Sequence, residues 1–197
     1  MQSLAKTVKG RAHHSSTSLR YLCACAVDID CYRCGRDFQA TLELVQEEYQ
    51  RGLPMASIVV NSGRGMWLLW LLRDPNNANQ AHYGAYGDNW NNHLLLYRRI
   101  EQHLGGSLAH LGSDRQATDA ARHIRIPGSL NTKSETVVQW HIAANEAGEL
   151  ITYRLRGMAQ ALGIDLKASP KRGRQTGANR GRCPKRVHGK IQAEQNN

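Results

Sequence analysis

Apolar residues along this chain fall into short runs and spaced series, and their periods define the elements. LRYLCACAVDID, residues 19–30, is an apolar run of small and β-branched side chains and predicts a buried strand. Residues 36–52 space Phe38, Leu42, Val45 and Tyr49 at helical intervals and stop at Gly52. MASIVVN (55–61) and MWLLWLL (66–72) read as two strands joined by the turn residues NSGRG, a β-hairpin. Residues 74–89 are polar loop, and WNNHLLLYRRIEQHLGG (90–106) is an amphipathic helix closed by paired glycines.

SLAHLG (107–112) predicts a short strand running into Asp114. Residues 118–134 predict a helical turn that Pro127 must end, since proline disfavours helix in the residue before it. TVVQWHIAA (136–144) alternates like a strand, and residues 149–163 predict a strand tip leading into a helix. Strand, helix, hairpin, helix, strand is the order of an α+β domain built on a mostly antiparallel sheet flanked by helices. No internal repeat is present.

Composition adds the boundaries. At 197 residues, 41% hydrophobic and 21% charged, the chain has room for one globular domain with a real core plus a tail. The formal net charge is +10, and it is unevenly placed. From Lys167 onward nine Lys and Arg face one carboxylate, Glu194, so this segment alone supplies +8 and the body is close to neutral. The expected organisation is an irregular segment over 1–18, a domain over 19–166 and a basic, disordered tail over 167–197. Such a tail suits a polyanionic partner and equally suits a solvated linker. No apolar run reaches the roughly 18 residues of a membrane span, and the N-terminus has no signal-peptide core. A cytoplasmic protein with reduced cysteines and no membrane partner is the expectation.

Three clusters can carry chemistry. Asp28 and Asp30 stand two apart at a strand end, so both carboxylates project from one face. Two carboxylates that close repel each other, and a hard divalent cation relieves the repulsion. Strand-end aspartates in solvent are common, so the pair alone decides little. In NSGRG, Ser62 and Arg64 offer phosphate-binding donors beside glycines that permit close approach, though a plain hairpin turn uses the same residues. In LGSDRQATDAARHIRIPGSLNTKS, residues 111–134, Asp114, Asp119, Arg122, His123, Arg125, Ser129 and Lys133 crowd together around a Pro127–Gly128 turn.

Taken in order, these pieces resemble the archaeo-eukaryotic primase superfamily, including the primase-polymerases of plasmids, phages and integrated elements. AVDIDC resembles its first motif, a hydrophobic strand ending in D-x-D. NSGRGMWLLW resembles the second, a Ser-Gly hairpin that often carries a histidine where this chain has Trp67. GSDRQATDAARHIRIPGSLNTKS resembles the third, an aspartate followed by R-x-PGS-x-N-x-K. The match covers residues 21 to 135.

The resemblance implies an RRM-like primase catalytic core and a nucleotidyltransferase making primers or DNA from nucleoside triphosphates on a single-stranded DNA template. It implies that Asp28, Asp30 and Asp114 hold Mg²⁺ or Mn²⁺ in a two-metal site, with Asp119 competing for the third place. It also implies that Ser62, Arg64, Arg125 and Lys133 contact the triphosphate, with His123 as an additional donor. A helicase or replication initiator encoded elsewhere fits as a further partner. Two other functions stay open: a non-catalytic nucleic-acid-binding replication protein, and a metal-dependent nuclease or phosphoesterase using the same carboxylates.

Cys23, Cys25, Cys31 and Cys34 lie within twelve residues, a spacing that also suits Zn²⁺ at Cys31 and Cys34. Strand alternation instead places Cys23 and Cys25 opposite the aspartates as small core residues. Trp67 and Trp70 read as buried strand, whereas Tyr83, Tyr86 and Trp90 lie in polar sequence and are candidates for stacking on bases.

Overall fold

The computed structural model describes residues 7–8, 11–12, 19, 21–77, 83–84, 90–114, 120 and 123–166. Asp119, Arg122, Tyr86 and the basic segment from Lys167 fall outside them.

A four-stranded antiparallel sheet organises these residues. β1 (Thr7–Val8) and β2 (Arg11–Ala12) form a two-residue pair within the segment read as irregular. β3 (Tyr21–Leu22) and β4 (Ala24–Ile29) divide the first apolar run at Cys23. A 3-10 turn at Cys31–Cys34 leads to α1 (Phe38–Gln50), where the Asp37 carboxylate accepts from the Ala40 N–H at 2.8 Å and caps the helix. Gly52, at φ +107°, turns the chain out of α1 as its sequence position predicts.

β5 (Ile58–Asn61) and β6 (Met66–Leu71) pair from Ile58↔Leu69 to Asn61↔Met66, the expected hairpin. β7 (Tyr83–Gly84) pairs with β3, and α2 (Trp90–Ser107) follows, running through both glycines that were read as its stop. β8 (Leu130–Asn131) and β9 (Thr136–Val137) form a tight pair before β10 (Gln139–Ile142), and α3 (Leu155–Ala161) completes the order. In the main sheet the strands lie β10-β5-β6-β4.

The sheet has two unlike faces. Cys25, Val27 and Ile29 of β4, with Met66, Leu68 and Trp70 of β6, enter the main core with Val45, Ile100, Leu104, Leu155 and Met158 of the helices. On the opposite face Ala26, Val60 and Trp67 form a smaller cluster under Val138, with Ile124 packed beside it. Period-two alternation in β4 sends one set of side chains to the helices and the other, Asp28 included, to this second face.

α2 also closes the edge of β4. Glu101 Oε1 accepts from the Ala26 N–H at 2.9 Å, and the Tyr97 hydroxyl lies 2.6 Å from that oxygen and 2.9 Å from the Ala24 carbonyl. Tyr97 has one proton to share between those two acceptors. A helix side-chain pair thus satisfies backbone groups that an edge strand leaves open.

Two local readings change. SLAHLG is a 3-10 turn over Ala109–Leu111 with Gly112 at φ +97°, and the pairing with the end of β4 comes after it, centred on a bridge from Ser113 to Ile29. Cys23 is exposed where the chain breaks between β3 and β4, whereas Cys25 and Cys31 are buried in the core.

Candidate active site

β4 ends at Ile29, and the chain turns at Asp30 into the Cys31–Cys34 3-10 turn. Alongside that end runs the segment after α2. The Asp30 N–H donates to the Gly112 carbonyl at 3.1 Å, and the Asp114 N–H donates to the Asp28 carbonyl at 2.9 Å. These two bonds flank the antiparallel Ile29↔Ser113 bridge, so Asp114 stands directly across from Asp28. Residues opposed in this way share a face of the sheet. Two aspartates distant in sequence are therefore neighbours on the backbone.

The same row continues across the sheet. Asp28 opposes Trp67, Trp67 opposes Val60, and Val60 opposes Trp140. Trp67 and Val60 are buried, whereas Trp140 at the far edge is exposed. Trp67 thus stands beside Asp28, at the position where the resembled motif often has histidine, beneath Ile124 and Val138.

The SGRG turn adjoins the carboxylate end of β4. Gly65 passes so close that a β-carbon there would lie 2.6 Å from the Ile29 carbonyl oxygen. This is a contact between two backbones, and glycine permits it. The buried Ser62 hydroxyl donates to the Gly65 carbonyl at 3.0 Å and accepts from the Gly65 N–H at 3.2 Å. Ser62 is therefore committed inside the turn, holding its shape, while Arg64 projects from it. The Arg64 guanidinium lies 4.6 Å from the centre of the Tyr32 ring, a cation–π distance.

The 123–138 segment lies over the same face. Ile126–Ser129 closes as a turn, the Ser129 N–H reaching the Ile126 carbonyl at 3.0 Å with Gly128 at φ +83°. Asn131 Nδ2 donates to the Ser62 carbonyl at 2.6 Å, and the Lys133 N–H donates to Asn131 Oδ1 at 3.2 Å. A β-carbon on Gly63 would collide with Ser134 and Thr136, so the second and third motifs are packed against each other. His123, Arg125 and Lys133 are exposed along this segment.

One participant was not read from the sequence. Arg33 Nη1 pairs with Asp30 Oδ2 at 2.9 Å, and Arg33 Nε donates to the Tyr32 hydroxyl at 3.3 Å. The Tyr32 hydroxyl above all, then the charges of Asp30 and Asp114, raise the Arg33 guanidinium above its ordinary value. Its signal was an arginine three residues after Asp30. Among the described residues no three His, Cys, Asp or Glu side chains are gathered closely enough to hold a metal ion. The zinc alternative meets a buried Cys31 whose Sγ points to the Ile29 carbonyl at 3.6 Å, with burial pushing its thiol up.

The architecture resembles a solved one. The AEP domain of the cyanophage S-2L primase-polymerase (PrimPol) superposes with a TM-score of 0.52 at 17% identity, covering 76% of this chain and 64% of that one. The fold is that of a primase-polymerase AEP domain. In sequence, the chain is 34% identical over 114 residues to a protein named "Replication protein" from Clostridium perfringens. That stretch is 57% of this chain and 24% of the relative, so the match spans about a quarter of its length. No family model matches. Within the primase-polymerase fold the three sequence motifs meet at one end of β4 and over one face of the sheet. Among the described residues no helix is long and apolar enough to cross a membrane.

Proposed function

We propose that this chain is a catalytic domain for nucleotidyl transfer in the replication of a mobile element, extending a primer from nucleoside triphosphates on single-stranded DNA. The observation that carries the reading is the pairing of Asp114 with Asp28 beside Asp30, on a primase-polymerase fold. Three carboxylates at one end of a strand are the oxygen donors that Mg²⁺ or Mn²⁺ takes, and a bound cation would draw together side chains that stand apart in this structure. Asp28, Asp30 and Asp114 would hold the metal; when bound, it would polarise phosphate oxygens and lower the pKa of an attacking hydroxyl.

The chain's own residues do the remaining work in this reading. Arg64, Arg125 and Lys133 are exposed cations suited to neutralising a triphosphate, with His123 as a further donor. Ser62 shapes the turn that presents Arg64. Trp67, buried beside Asp28, gives the site an apolar wall. A single-stranded template and a helicase or initiator partner belong to the same proposal.

The test is incorporation of labelled dNTPs and NTPs on a primed single-stranded template with Mg²⁺ or Mn²⁺. The wild-type chain should extend the primer, and Asp28→Ala with Asp30→Ala should lower the rate about a thousandfold or more. Near-normal extension by the double variant would sink the mechanism. Template binding without extension would identify a non-catalytic binding protein, and template degradation a nuclease.

A further inference from the structure

Asp30 occupies the position before the first residue of the 3-10 turn at Cys31–Cys34, where an aspartate usually turns its carboxylate onto the first free N–H groups. It makes no such side-chain cap. Its carboxylate goes instead to Arg33 Nη1 at 2.9 Å. Arg33 is in turn held on its other side by Tyr32, through the hydroxyl at 3.3 Å and with the guanidinium 5.9 Å from the ring centre. Arg64 stacks on the same ring at 4.6 Å. One exposed aromatic thus organises two arginines near the end of β4, and only Arg33 has an ion pair with Asp30 among the described contacts.

We infer that Arg33 is a positioning residue that holds Asp30 in the cation-free chain and yields it when a divalent cation binds, so that Arg33 sets the cation concentration at which the site fills. The inference rests on the metal reading of Asp28, Asp30 and Asp114. A guanidinium and a divalent cation compete for the same carboxylate oxygens, because each is stabilised only by their negative charge. Asp30 cannot serve both with the same oxygen. Tyr32 gives the released guanidinium a place to stay, over an aromatic face beside Arg64. The effect is small by construction, since Arg33 is 58% exposed and solvent-exposed pairs are weak.

Direct Mn²⁺ binding to the full chain, followed by the loss of the free-ion electron paramagnetic resonance signal, tests this without any turnover. Wild type is compared with Arg33→Gln, Arg33→Lys and Arg64→Gln, each checked for unchanged thermal unfolding. Arg33→Gln should bind Mn²⁺ about two- to fivefold more tightly, the range a weak exposed pair allows. Arg33→Lys should restore the wild-type value, and Arg64→Gln, which removes the same charge from the other arginine on Tyr32, should change it less than about twofold. Unchanged or weaker binding by Arg33→Gln overturns the inference, as does equal tightening by Arg33→Gln and Arg64→Gln, which would be a general field effect. Mn²⁺ binding that Asp28→Asn leaves intact, or no Mn²⁺ binding by wild type, overturns the underlying metal reading instead.

Discussion

Gly65 shows how one residue type ties the hairpin to β4. Its missing side chain leaves room for the Ile29 carbonyl, and the obstructing atom is backbone, so nothing nearby is free to rotate away. Gly65→Ala should cost about 1–3 kcal/mol and lower the thermal midpoint by several degrees, because relief requires parting the turn from β4. A wild-type melting curve for this variant would refute the close approach. Tyr49 gives a pH signature of its own. Burial lifts its phenol from 10.0 to about 12, while in the unfolded chain it ionises near 10. Between those values the unfolded chain holds fewer protons, so stability falls as pH rises through the window and levels off above it. In denaturant titrations, wild type should lose about 1 kcal/mol more than Tyr49→Phe on going from about pH 9 to about pH 11.

At the scale of elements, α2 does more than cover the core. Glu101 and Tyr97 bond to the open backbone edge of β4, the strand that carries Asp28 and leads into Asp30. Glu101→Ala should therefore destabilise by about 3 kcal/mol, since it strands a buried N–H. Glu101→Gln, which keeps an oxygen for Ala26, should cost about 1 kcal/mol. Chemical denaturation of the two variants checks the ordering, and equal losses would show that the carboxylate's charge, not the acceptor, matters. The main elements were legible because their periods are clean: Phe38, Leu42 and Val45 for α1, and β4, β5 and β6 as bounded apolar runs. SLAHLG was misread because three apolar residues cannot separate a strand from a 3-10 turn, and the pairing that matters there is one bridge from Ser113. Cys23 was misread because the break between β3 and β4 ends the alternation that had placed it in the core.

For the whole molecule, the candidate site is a product of long-range pairing. Nothing in the local pattern of Asp114 joins it to Asp28; the motif resemblance raised the possibility, and the Ile29↔Ser113 bridge supplies the neighbourhood. The packing of the Ser62–Gly65 turn against the Asn131–Thr136 segment was equally invisible in spacing, because it depends on an Asn131 side chain reaching the Ser62 carbonyl. Arg33 is not legible in the sequence because an arginine near an aspartate is ordinary until the structure shows that the Asp30 carboxylate makes no cap on the turn it precedes and pairs with Arg33 instead. The central claim is that carboxylates from two separate stretches act as one site. Primer extension by Asp114→Asn tests it most directly, with Asp119→Asn and a thermal melt run beside it. Asp114→Asn should fold normally and lose at least about a hundredfold in rate while Asp119→Asn keeps most of its activity; a folded Asp114→Asn variant that extends primers like wild type would contradict the account.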